Sequence, residues 1–259
     1  MSRTQGSGIP MNSTLARSNS ISVRRKSTAV AFSAVITLYN EEGNIEPLTR
    51  SLIASFHTHM KDIPFELVLV INGSEDRTGE IALELEKEFD ELTLVMVKKN
   101  RGYGGGTLAG LANASGDVVG FLDGDQQVAA QDVARVFKAC IEGKHDIVKI
   151  LRVVRKDGPL RVFQSRCFNS LFRLFFGGTS VDVNSKPKVL KRQALEKMNL
   201  RSTDWFLDAE VMIEAVRLNL SVLELPVVWE EREHGSSNIR LSSAVEFFKN
   251  MIRYRYGRS

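Results

Sequence analysis

An unbroken apolar run of strand length, Val118–Leu122, leads straight into Asp123-Gly124-Asp125-Gln126-Gln127. Such a run reads as a strand buried on both faces, as in a parallel sheet covered by helices. Open sheets of that kind place ligands beyond the carboxyl ends of their strands, where Asp123 and Asp125 fall. Two carboxylates this close repel one another and lose hydration unless a cation lies between them. Oxygen donors with the Gln127 amide nearby suit Mg²⁺ or Mn²⁺, which keep positions open for substrate phosphates. Gly124, without a side chain, would let an anionic ligand approach the backbone. A solvated Asp-Gly-Asp turn accounts for the same residues, and the short motif alone does not decide.

The rest of the first half repeats the alternation. Residues 34–39 read as a strand, followed by Asn40-Glu41-Glu42-Gly43 and a helix through about Phe56. Residues 65–71 form the next strand, ended by Asn72-Gly73-Ser74-Glu75-Asp76, and a helix over about 78–89 carries Ile81, Leu85 and Phe89 at helical spacing. A third strand, 92–97, precedes the glycine-rich stretch 100–107 and a small-residue helix to Ala114. After the central strand come a helix over about 129–141 and a strand over 146–151. The alternation predicts an α/β protein with a doubly wound, mostly parallel sheet and helices on both faces.

The pattern changes after Leu151. Leu160, Phe163, Cys167, Leu171 and Leu174 fall on one helical stripe, broadened by Phe168, Phe172, Phe175 and Phe176. Arg161, Ser165, Asn169 and Arg173 share another face. With Arg152, Arg155, Lys156 and Arg166, segment 152–178 is the most basic of the body, fit to cover a sheet or to lie in a headgroup layer as a peripheral amphipathic helix. Then follow the run 182–188, a strand into Leu190, a short helix near 193–198 and a helix over 208–218 that opens with acids, as its dipole favours. A strand over 223–228 leads to a polar loop, 229–238, holding Arg232, His234 and Gly235, and a last amphipathic helix spans 241 to about 254.

Charge separates a tail from a body. Residues 1–31 hold five basic side chains and no acidic one; removing them from 35 Lys and Arg leaves 30 against 31 Asp and Glu, a balance that argues against a nucleic-acid-binding body. The tail is rich in Ser, Thr, Asn and Gly without apolar period, so it is expected to be disordered, leaving 32–259 as one domain. It lacks the apolar core of a signal peptide, although its composition is also that of a transit peptide. Two distant cysteines without metal-ligand spacing fit a reduced, cytoplasmic setting. With no membrane-length apolar run, any work at a membrane is expected from its surface or through a membrane-protein partner.

Gly104-x-Gly106-x-x-Ala109 follows a strand and opens a helix, and Asp123 comes nineteen residues after Gly104, as in a dinucleotide fingerprint. A nucleotide-dependent oxidoreductase is therefore a rival. Against it, the glycines follow the third strand rather than the first, and a second acid and an amide follow the supposed ribose ligand.

Taken in order, the motifs resemble the family 2 glycosyltransferases of GT-A fold, in the dolichol-phosphate mannose synthase and polyprenyl-phosphate glycosyltransferase branch. The likeness covers Ala34 to about Leu241. It rests on Tyr39-Asn40-Glu41-Glu42; Asn72-Gly73-Ser74-x-Asp76-x-Thr78; Asn100-x-Gly102 with Ala109; Asp123-Gly124-Asp125-x-Gln127; Asp182-x-Asn184-Ser185-x-x-Lys188; Asp208-x-Glu210; and Arg232-x-x-Gly235-x-Ser237. The resemblance implies that Leu38, Tyr39, Glu41, Asn72, Asn100, Gly102, Asp123 and Gly124 hold a UDP- or GDP-sugar. Asp123, Asp125 and Gln127 would hold Mg²⁺ or Mn²⁺, and Asp125, Asp208 and Arg232 would serve the chemistry. Arg152, Arg161, Lys188 and Arg232 would meet donor or acceptor phosphates, the acceptor being a polyprenyl phosphate at the cytosolic face of a membrane. The chain departs from the pattern at Asn72, where an Asp is usual, at Lys186-Pro187 in place of a Gly-aromatic pair, and at Asn238, where a Lys is common. A family 2 transferase with a soluble acceptor, or an idle sugar-nucleotide-binding module, are the other classes this pattern admits.

Overall fold

The structure, a computed structural model, describes residues 21–25, 30–155, 159–178, 180–229, 250–252 and 254. Eight strands form one sheet: β1 (Ile21–Arg25), β2 (Phe32–Leu38), β3 (Phe65–Asn72), β4 (Leu92–Val97), β5 (Val118–Leu122), β6 (Ile147–Arg155), β7 (Lys188–Lys191) and β8 (Val222–Trp229). They lie in the order β1-β4-β3-β2-β5-β7-β6-β8. β1 runs antiparallel to β4, and β7 is antiparallel to both neighbours; the other adjacent pairs are parallel. The mostly parallel, doubly wound expectation holds. The strand at Ile21–Arg25 corrects the expectation of a disordered tail over its whole length.

Among the described residues there are seven helices: α1 (Ile45–His59), α2 (Thr78–Glu88), α3 (Gly102–Asn113), α4 (Ala130–Glu142), α5 (Pro159–Phe176), α6 (Arg192–Lys197) and α7 (Leu207–Arg217). Alternation along each strand decides which layer meets which face. Ala34, Ile36 and Leu38 of β2 and Leu67, Leu69 and Ile71 of β3 pack against α1, α2 and α4. Val35, Val68 and Val70 face the other way, onto α3, α6 and α7. Both faces are covered, so the central strands are buried throughout and read as continuous apolar runs. Phe32, Phe56, Phe65 and Phe137, with ring centroids 5.1 to 5.6 Å apart, fasten the amino end of the sheet.

Helix α5 packs on α7 rather than on the sheet. Phe172 is buried against Val183, Phe206, Ala209 and Met212, with Phe168 and Phe176, one turn before and one turn after it, beside it. The row Cys167, Leu171 and Leu174, expected on the same stripe, is exposed, as are Arg166 and Arg173. The phenylalanines therefore make the packed face, and the leucines stand outside it.

Candidate active site

β2 and β5 are neighbours, but the chain leaves them toward opposite flanks of the sheet, to β3 and β6 respectively. This is the switch point at which doubly wound sheets take ligands. The loops leaving β2, β3 and β4 here are tied by hydrogen bonds, most of them between neutral groups, with the Asp76 and Glu42 carboxylates accepting the Glu42 and Arg77 N–H groups at 3.1 Å each. The Asn40 N–H donates to Ser74 Oγ at 3.1 Å, and the Glu75 N–H returns to Asn40 Oδ1 at 2.9 Å. The Glu41 N–H donates to Thr78 Oγ1 at 2.9 Å. Asn72 Nδ2 donates to the Gly102 carbonyl at 3.0 Å and to Asn100 Oδ1 at 3.3 Å, while its Oδ1 accepts the Arg101 N–H at 3.1 Å. The amide of Asn72 thus builds the Asn100–Gly102 turn, a task needing both a donor and an acceptor, which an ionised aspartate could not perform.

Tyr39 is exposed at the mouth of this ledge, and the Glu41 carboxylate accepts Asn44 Nδ2 at 2.6 Å. Leu38 is fully buried, so it supports the ledge from beneath rather than touching a ligand. A Cβ on Gly124 would meet Leu38 Cδ2 at 2.8 Å, so its missing side chain makes room for packing against β2.

The glycines of α3 have the same kind of reason. Gly102 sits at φ 75°, and a Cβ on Gly104 would run into the backbone carbonyls of Ser202 and Asp204. The Gly105 N–H already donates to Thr203 O at 3.1 Å. Segment 202–204 therefore closes the helix end that a dinucleotide would need, and the oxidoreductase reading falls.

Beyond β5, charges alternate. Lys186 Nζ lies 2.8 Å from Asp123 Oδ1 and 3.2 Å from Asp208 Oδ2, and Lys188 Nζ lies 2.5 Å from Asp208 Oδ1. Lys186 also sits 4.3 Å from the ring centre of Tyr103 and 5.3 Å from that of Trp205; the two rings stack at 4.4 Å and 8°. Burial pulls the Lys186 pKa down, but Asp123 and Asp208 outweigh it and hold the ammonium well above the usual lysine range. Lys188 is completely buried; that burial, against the pull of Asp208, brings it down to about 8. Burial likewise pushes Asp123 up, Lys186 opposes this, and the charges of Asp125 and Asp208 add to it. Three carboxylates face two ammoniums, so the cluster is short of positive charge.

That shortage and the donor set fit a hard divalent ion. Asp123 and Asp125 offer carboxylates, Gln127 an amide, and all three line one cleft with Lys186, Pro187 and Trp229. Among the described residues no three His, Cys, Asp or Glu side chains gather as a full metal site. The protein thus offers a partial shell that a bound diphosphate can complete.

The neighbouring cations are held internally. The Arg152 guanidinium forks onto Asp182, with 2.6 Å to each oxygen, and stacks at 4.9 Å on Trp229. Lys149 Nζ, fully buried, is 3.0 Å from Glu224, which also accepts Ser180 Oγ at 2.7 Å. Lys188, expected to meet phosphate, instead orients Asp208 from the interior. Arg161 is placed on α5, its side chain outside what is described, and Arg232 with Gly235 and Ser237 lies outside the described residues altogether. Three residues of the cluster escaped the sequence reading. Lys186 registered only as a departure, Tyr103 only as part of a glycine-rich stretch, and Trp205 belongs to no motif of the sequence.

A switch-point Asp-x-Asp on a mostly parallel sheet of this order places the chain among the GT-A α/β proteins. The family model described as "Glycosyl transferase family 2" matches residues 33–198, and the chain belongs to that family. It is 29% identical over 224 residues to an undecaprenyl-phosphate 4-deoxy-4-formamido-L-arabinose transferase of Edwardsiella ictaluri, covering 85% of this chain. The chain spans 66% of the length of that relative. It is 27% identical to a dolichyl-phosphate beta-glucosyltransferase of Trichomonas vaginalis, covering 87% of this chain and 73% of the relative. Glucosyl-3-phosphoglycerate synthase from Mycobacterium tuberculosis, solved with Mn²⁺ and UDP-glucose, shares the fold at TM-score 0.68 and 20% identity, covering 88% of this chain and 80% of that one.

Proposed function

We propose that this chain is an inverting glycosyltransferase that moves a sugar from a UDP- or GDP-sugar to a polyprenyl phosphate, using Mg²⁺ or Mn²⁺. The observation that carries this reading is Asp123 and Asp125 at the β2/β5 switch point, in a family 2 chain whose relatives are named as polyprenyl-phosphate sugar transferases. The tied loops of β2, β3 and β4 offer a ledge for the nucleoside. A divalent ion on Asp123, Asp125 and Gln127 supplies charge neutralisation for the departing nucleoside diphosphate. A polyprenyl phosphate is ionised near neutral pH, so it attacks without a strong general base. The two lysines on Asp208 support an orienting role for it over that of a base. With Arg152 and Lys188 held internally, the phosphate contacts are assigned to Arg161 and Arg232.

Among the described residues no helix is long and apolar enough to cross a membrane. The outer row of α5, with Leu174 80% exposed beside Arg173 and with Arg166 exposed two turns earlier, supports contact with the cytosolic surface of an anionic bilayer. The deciding experiment measures sugar transfer from UDP- and GDP-sugars to polyprenyl phosphate and to water-soluble acceptors, beside thermal shifts with and without Mn²⁺. Asp125→Ala should lose the Mn²⁺-dependent shift and about a thousandfold in transfer while staying folded. Transfer only to a soluble acceptor would refute the lipid acceptor, and an unchanged Mn²⁺-dependent shift in Asp125→Ala would refute the metal site.

A further inference from the structure

The glycosyl-transfer reading gives Asp123 to a metal, yet the structure gives it to a lysine. Lys186 Nζ touches Asp123 at 2.8 Å with the side chain 7% exposed, so it occupies the carboxylate from inside the protein. Two further features hold it there. Asp208 takes the ammonium from a second side at 3.2 Å, and the stacked Tyr103 and Trp205 rings present their faces to it. A cation between two carboxylates and over two aromatic faces does not leave freely.

We propose that Lys186 is a tethered cation that competes with the divalent ion for Asp123 and so sets how strongly the Asp123/Asp125 pair takes metal. The inference rests on the transferase reading for the metal's purpose, but its physics is local. A divalent ion on Asp123 must share the carboxylate with a fixed positive charge a few ångströms away, and buried like charges repel strongly. In the absence of metal the same ammonium stabilises Asp123 and keeps the cleft formed. The chain is thereby built to bind free Mn²⁺ weakly and to bind it well only when a diphosphate arrives with negative charge. Lys186 acts through Asp123 and is a positioning residue.

The test uses Mn²⁺ alone, with no donor, acceptor or turnover. Titration of the full chain, with free Mn²⁺ read by electron paramagnetic resonance, should show binding at least about tenfold tighter in Lys186→Met than in the wild type, as expected when a like charge is removed from a buried site. A merely structural lysine predicts the opposite sign, because its loss disorders the site and weakens binding. Should Lys186→Met not fold, Lys186→Gln keeps a hydrogen-bond donor between the two carboxylates. Trp205→Leu, at a residue 38% exposed, loosens the aromatic seat and should tighten Mn²⁺ by roughly threefold. Unchanged or weaker Mn²⁺ binding in the folded Lys186 variant and in Trp205→Leu overturns the proposal. Sugar-nucleotide binding by the same proteins with Mn²⁺ present is read separately. If it persists while Mn²⁺ affinity is unmoved, the Lys186 inference alone fails; if it is lacking in the wild type, the transferase reading fails instead.

Discussion

The two halves of the cleft are held by different chemistry. On the side of β2, β3 and β4, hydrogen bonds tie the loops, most of them between amides, hydroxyls and backbone groups, as in the Asn72–Asn100–Gly102 turn and the Asn40–Ser74 contact, with the Glu42 and Asp76 carboxylates each accepting a backbone N–H. On the side of β6, β7 and β8, buried ion pairs do the work: Lys149 with Glu224, Arg152 with Asp182, and Lys186 and Lys188 with Asp208. Neutral ties are worth about 1 kcal/mol each and fail one at a time. Buried ion pairs add little net stability but are expensive to break singly, because the partner is stranded in a low-dielectric interior. The β2–β4 side can therefore drift by substitution, whereas the β6–β8 side tolerates change only in pairs.

The largest effect should come from breaking the charged side. Glu224→Ala leaves Lys149 buried without its carboxylate and should cost about 3–5 kcal/mol in urea unfolding. A loss below about 1 kcal/mol would erase the contrast between the halves. Next in size, Arg232→Lys should cut transfer to polyprenyl phosphate roughly a hundredfold while shifting stability by no more than about 0.5 kcal/mol, since a lysine cannot reproduce a paired guanidinium contact. Near-normal turnover would remove Arg232 from the site.

Liposome flotation probes the outer row of α5. Neutralising Arg166 and Arg173 together should weaken binding to anionic vesicles by about 1 kcal/mol per charge, and no flotation of the wild type at low salt would make α5 a packing element only. On the neutral side, Asn72→Ala should cost about 1–2 kcal/mol in unfolding, well under the Glu224 variant.

The smallest effect is a pH dependence remote from the cleft. Glu66 is buried and accepts Ser33 Oγ at 2.7 Å, Thr93 Oγ1 at 2.8 Å, and the Ser115 N–H and Oγ at 2.6 and 2.7 Å, with Arg25 Nε 3.4 Å away. Burial alone pushes its carboxyl up, but those hydrogen bonds outweigh it and hold it below the ordinary value. The unfolded chain therefore takes up the proton first as pH falls, and the stabilisation is present above the ordinary glutamate range and lost on acidification through the folded value. Glu66→Gln should be less stable than the wild type at pH 7, and the gap should close on acidification; a gap constant from pH 7 to 3 would contradict the assignment.

Much of this was legible in the chain. Strands covered on both faces announce themselves as pure apolar runs, so β2 to β5 and the carboxylates beyond Leu122 could be read directly. β1 could not, because Ile-Ser-Val-Arg-Arg pairs along one edge and exposes four of its five residues. On α5 the stripe was found but its packed row misplaced: phenylalanine and leucine rows lie side by side on one helix, and only the position of α7 tells them apart. Lys186 was hidden for another reason. A lysine in a polar loop reads as solvated, and its burial depends on Tyr103 and Trp205, distant in sequence and brought over it by the docking of segment 202–204 on α3.

The strand at Ile21–Arg25 carries a consequence for how the chain can be handled. It pairs along its full length with β4, from Ile21 opposite Val97 to Arg25 opposite Thr93, and so covers one border of the sheet. A version of the protein trimmed to begin at Phe32 would uncover the backbone row of Leu92–Val97, a short apolar strand of the kind that recruits strands from other molecules. β1 is thus an edge cover with mostly polar, exposed side chains, and removing it would leave a sheet that grows by accretion.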